Sequence, residues 1–73
     1  MNDNIKKQKL NMWTKKLEDL KKDLAATQIK KGEAAREGDL SENAAYKMAI
    51  EEIDMLHARI ADVEKILADL EAK

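Results

Sequence analysis

The chain has 73 residues, with 14 Lys/Arg against 15 Asp/Glu, one histidine, and neither cysteine nor proline. That length allows one small domain whose limited core needs regular helix packing, a metal or a partner. Composition excludes disulfides, thiolate zinc sites and histidine-rich metal cages, and no apolar run has membrane-spanning length or the look of a signal peptide, so a cytoplasmic protein without membrane contact is expected.

The abundance of Ala, Glu, Lys and Leu points to long helices. The first is predicted over about 5–36. Leu10, Trp13, Leu17, Leu20 and Leu24 alternate spacings of three and four, which is a heptad seam. Trp13 sits on that seam and reads as core. Continued in register, the seam meets Thr27, Lys31 and Ala34, which fill a core poorly, while Ile29 falls on the far side. A register shift, or loose packing, is therefore expected between Ala25 and Gly32.

A tip follows at 37–40, inside the stretch "REGDLSENAAYK" that spans residues 36–47. Gly38 suits the end of a helix because it tolerates positive φ. Asp39 suits the next N-cap, and Glu42, three residues on, completes the pattern of a capping box. The second helix is predicted from about 40 to 72. Its seam is unbroken: Tyr46, Ala49, Ile53, Leu56, Ile60, Val63, Leu67 and Leu70. The expected fold is all-α, a single domain over 1–73 built as an antiparallel two-helix coiled-coil hairpin with an acidic tip. Antiparallel register brings Leu24 near Leu56 and Leu10 near Leu70. Each arm is about 45 Å long at 1.5 Å per residue.

Charge is distributed unevenly. Through Gly38 there are ten Lys/Arg against six Asp/Glu, and from Asp39 onward four against nine. Two readings follow: the helices attract each other, or a basic face tracks an anionic partner such as nucleic acid. With net charge so close to zero, binding of free DNA or RNA is not expected. "LEDLKK" and "EEIDMLHAR" offer weak ion pairs at helical spacing. His57, without another histidine or cysteine near it, reads as a solvated helix residue. Met48 and Met55 lie seven apart on an outward stripe; they are simply exposed, or they help a second hairpin dock.

The tip has two readings as well. Asp39 and Glu42 cap a helix, or a long thin hairpin delivers them into a cavity. Two carboxylates alone make a poor magnesium site. They can complete one whose other ligands belong to a partner, as in two-metal phosphoryl transfer.

The stretch "GDLSENAAY" resembles the tip motif of the Gre family of bacterial transcript-cleavage factors (GreA/GreB). The family pattern, Gly-Asp-Leu-x-Glu-Asn-Ala-x-Tyr, is matched by Gly38, Asp39, Leu40, Glu42, Asn43, Ala44 and Tyr46. "ARE" at 35–37 and "RIADVEKIL" from Arg59 resemble the flanking family segments. The likeness covers nearly the whole chain, as the family's N-terminal coiled-coil domain without the C-terminal FKBP-like domain. It implies a transcription elongation factor that inserts its tip into the secondary channel of bacterial RNA polymerase and acts on the RNA 3' end indirectly. Asp39 and Glu42 would there share a Mg2+ ion in the polymerase active site and stimulate the polymerase's own RNA cleavage. On this reading the chain is not itself an enzyme and holds no cofactor stably alone. Leu40, Ser41, Asn43 and Tyr46 would support the tip or contact the polymerase; Lys30, Lys31, Arg36 and Lys47 are the candidates for RNA phosphate contact.

Three features depart from the family pattern. The family has one more residue between Arg-Glu and Gly-Asp, and one helical residue is about 100° of rotation. Ile50 stands where a basic residue is common. The chain stops at "LADLEAK", about where the anchoring domain would begin, and loss of a tether lowers effective concentration at the target. Two alternatives therefore stay open: a structural coiled-coil module that forms a homodimeric helical bundle, and an inhibitor of the same channel.

Overall fold

The computed structural model describes residues 3–72. Helix α1 runs Asp3–Ala35, a single 3-10 turn occupies Leu40–Glu42, and helix α2 runs Ala44–Ala72. The two helices pack antiparallel along their length. The particle measures 55 × 14 × 12 Å, with a radius of gyration of 16.6 Å. A compact chain of this length would have a radius near 11 Å, so the molecule is a rod.

The seam forms as its spacing predicts. Leu20, Leu56, Ile60 and Val63 make the buried cluster, and Trp13, Leu17, Leu24 and Leu67 pack against it. Leu24 thus meets the cluster that contains Leu56. Each buried side chain of this size contributes about 1.5–3 kcal/mol. Even so, no described side chain is completely shielded from solvent. Two helices have only one shared face, so every core residue keeps an edge near water.

Of the two outcomes expected between Ala25 and Gly32, a register shift or loose packing, the register shift does not occur. Thr27, Lys31 and Ala34 continue the seam in place, with Thr27 only 3% exposed, Ala34 buried and Lys31 half-buried. Thr27 is tolerated there because its hydroxyl donates to the Asp23 carbonyl one turn back at 2.9 Å, which satisfies the polar atom inside its own helix. Ala49, on α2, is buried as well. Small side chains, closely packed, replace the leucines toward the turn. Ile29 is left outside, 64% exposed.

No ion pair crosses the hairpin among the described residues. Their one ion pair is Lys15–Asp19 at 3.3 Å, within α1. The spacings in "LEDLKK" and "EEIDMLHAR" do not close into ion pairs, and the acidic second half does not pair by contact with the basic first half. Exposed pairs gain too little to fix two long side chains. His57 is exposed, as expected. Among the described residues, no helix is long and apolar enough to cross a membrane.

Candidate functional site at the hairpin tip

The turn is assembled in three steps. First, α1 tightens as it ends. The Arg36 amide donates to the Glu33 carbonyl at 3.2 Å and the Glu37 amide to the Ala34 carbonyl at 3.1 Å. Such i−3 bonds serve carbonyls that the helix no longer reaches. Second, Gly38 takes φ +124°, a conformation that side-chain-bearing residues rarely adopt. Third, Asp39 starts the 3-10 turn, and its Oδ1 accepts from the Ser41 amide at 3.0 Å and from the Ser41 hydroxyl at 2.8 Å.

The second helix does not start on Asp39. Asp39 caps only the short turn, and Asn43 is the cap of α2. Asn43 Oδ1 accepts from the Tyr46 amide at 3.0 Å, the N-cap bond to the third helical residue. The capping box expected between Asp39 and Glu42 is therefore not formed, and α2 begins at Ala44 rather than near residue 40. The physical reason is the 3-10 turn. Three residues spent in it leave Glu42 before the cap instead of inside the helix.

Asn43 also does what its position in the sequence did not suggest. Its Nδ2 donates to the Ala34 carbonyl across the turn at 2.7 Å. One half-buried amide thus closes the end of α1 and the start of α2 together. The available signal was Asn directly before the helix-favouring pair Ala44–Ala45; Asn is as good an N-cap as Asp.

Both tip carboxylates remain outward. Asp39 is exposed, and its hydrogen bonds to the Ser41 hydroxyl and then the Ser41 amide hold its pKa below the ordinary 3.8. Those bonds favour the charged form. They occupy Oδ1 and leave Oδ2 without a partner among the described residues. Glu42 is exposed and has no hydrogen bond or ion pair among them. Leu40, between the two, is 42% exposed. No group of three or more His, Asp or Glu able to hold a metal exists among the described residues. The donor set fits an ion only if a partner supplies the remaining ligands.

The basic candidates occupy different settings. Lys31 lies over the Tyr46 ring with Nζ 5.9 Å from the centroid, a cation–π contact at the base of the tip. Tyr46 is half-buried there. Arg36 and Lys47 are exposed beside the turn. Lys30 lies on a broad face instead, where it lines a groove with Ala45, Met48 and Met55. That groove contains neither Asp39 nor Glu42.

The chain matches the model of a known family. The family model described as "Transcription elongation factor, N-terminal" (GreA/GreB) covers residues 5–71. No curated protein and no solved structure matches the chain.

Proposed function

The chain belongs to the GreA/GreB N-terminal family of transcription elongation factors, and from that premise we propose that it acts by inserting its tip into the secondary channel of bacterial RNA polymerase. One observation carries the reading. At the turn end of a rod 55 Å long and 14 Å wide, Asp39 and Glu42 are both exposed and both keep free carboxylate oxygens. A narrow body with its charge at the extremity suits delivery into a confined site.

In that site Asp39 offers Oδ2 while Ser41 restrains Oδ1, so the carboxylate meets a cation already oriented. Its lowered pKa keeps it in the ligating, charged form over a wider range of pH. Glu42 adds the second carboxylate. Asn43 fixes both against the rod by joining α1 to α2. A Mg2+ ion shared with the polymerase would activate water and stabilise the leaving oxygen of the cut phosphodiester. The protein then assists RNA cleavage in a backtracked complex without being the enzyme.

The experiment is transcript cleavage by stalled, backtracked bacterial elongation complexes. Added protein should stimulate Mg2+-dependent cleavage. Asp39→Asn and Glu42→Gln should each lower it about ten- to a hundredfold, the usual loss when a group supporting a metal is removed, with helix content unchanged by circular dichroism. Binding without cleavage would mark an inhibitor of the channel. Absence of binding at high concentration would remove the polymerase reading.

A further inference from the structure

One broad face of the hairpin is not consumed by its own seam. An open groove of about 750 Å3 runs along it, with Lys30 on the α1 side and Ala45, Met48, Glu51, Glu52 and Met55 on the α2 side. Met48 is 68% exposed, more than any core position can be. The apolar character continues along the rod. Met12 precedes Lys30 by eighteen residues and Ile66 follows Met48 by eighteen. That interval is five full helical turns, so each pair shares a face. Met12 is exposed and Ile66 half-buried.

We propose that this face pairs with a second copy of the chain, side by side, with both tips at the same end. Charge selects both the occupant and its direction. Helix α1 carries nine Lys/Arg against five Asp/Glu, and α2 three against seven. Neither excess is neutralised by contact across the hairpin, since the one ion pair among the described residues lies within α1. A two-fold axis along the rod lays basic α1 of each copy over acidic α2 of the other. The same patch serves both copies, as an isologous interface requires. Lys30 of each then faces Glu51 and Glu52 of the other. The opposite direction stacks α1 on α1 and α2 on α2, with like charges opposed.

The area is adequate. A face 55 Å by 14 Å is on the order of 800 Å2, the share per partner of a standard interface. Pairing also adds the second layer that the two-helix core lacks. The two acidic tips come alongside and repel, so the pair is weak and concentration-dependent rather than obligate. This inference goes beyond the polymerase reading and does not depend on it.

Sedimentation velocity over a wide concentration range tests it. The expected result is a shift from one chain to two as concentration rises. The variant Met48→Glu/Met55→Glu should weaken the pair about thirtyfold or more, as for central anchors of an interface. Lys30→Glu should weaken it too, and Lys30→Glu with Glu52→Lys should restore it. The chain has no cysteine, so Lys47→Cys gives a single spin-label site near the tip; the two labels should lie close together. A one-chain mass at every concentration overturns the proposal. So does a pair indifferent to the methionine and charge substitutions, or labels found at opposite ends of the particle.

Discussion

The stem and the tip of this hairpin are held by different forces. In the stem, Leu20, Leu56, Ile60 and Val63 exclude water from a shared face, and the stabilising term scales with area. In the tip, the short segment between Ala35 and Ala44 reverses the chain, and little apolar area is covered. There the structure depends on one backbone conformation at Gly38 and on a few directed hydrogen bonds from Asn43 and Ser41. The stem can absorb small changes of side-chain shape by repacking. The tip cannot, because a hydrogen bond is either aligned or lost. Stability should therefore respond most to the stem, and activity most to the tip.

The largest expected effect comes from the stem. Leu56→Ala removes a buried side chain from the cluster and should cost about 2–5 kcal/mol in a denaturant titration. In a domain this small that is a large share of the total. Transcript cleavage should fall only as far as the folded fraction falls. A loss of activity in a fully folded Leu56→Ala protein would show that the stem does more than hold the tip.

The two glycines sharpen the contrast. Gly38→Ala forces a side chain into φ +124° and should cost about 1–3 kcal/mol. Gly32→Ala lies inside α1, where an added Cβ meets nothing within 4 Å. It should instead gain about 0.5–1 kcal/mol from helix propensity. Thermal melting reads both signs. Equal and like-signed shifts would mean that the turn is not set by Gly38.

Asn43 separates the two hydrogen bonds at the tip. Asn43→Ser keeps a cap for the Tyr46 amide and gives up the bond to the Ala34 carbonyl. Asn43→Ala gives up both. The alanine variant should lose about 1 kcal/mol more than the serine variant, the usual worth of an N-cap. If the latch across the turn aims the carboxylates, cleavage should already drop in Asn43→Ser, before the cap is removed.

How far these features could be read from the sequence differs between the same two regions. The stem was legible because apolar spacing of three and four is enforced by helix geometry, so Leu10 to Leu24 and Tyr46 to Leu70 announce their own face. The register through Thr27, Lys31 and Ala34 followed from the same counting. It looked implausible only because those residues are not large and apolar, and the hydroxyl bond from Thr27 to Asp23 that makes it acceptable depends on the helix already being formed. The tip was legible in its residues but not in its hydrogen bonds. Asp39 and Asn43 are both good caps, four residues apart. Which one starts α2 depends on whether the intervening residues form a 3-10 turn, a choice made by the closure to Ala34 nine residues earlier. Local pattern carries no information about that closure. The exposed Met48 stripe was visible, while the groove beside it required Lys30 to be placed from the other helix.

The smallest expected effect on stability is also the most specific to the site. Ser41→Ala removes the hydroxyl that is the leading cause of Asp39's lowered pKa, and leaves the Ser41 backbone amide still donating. The pKa should rise part of the way back toward 3.8, as read by carboxyl-carbon NMR titration. The sign of the linkage is fixed by the direction of the shift. A group depressed in the folded state adds stability above its unfolded value, and loses that contribution as pH falls through its folded value. Ser41→Ala narrows that window from the acid side, and because Asp39 is fully exposed the melting temperature at neutral pH should not move measurably. Cleavage should behave differently. If charged Asp39 is what a shared Mg2+ ion requires, the acid limb of the activity profile should shift to higher pH in Ser41→Ala, while the plateau changes only as far as the looser carboxylate costs orientation. An acid limb that stays in place, with the Asp39 titration shifted, would separate the ionisation of this carboxylate from the activity of the tip.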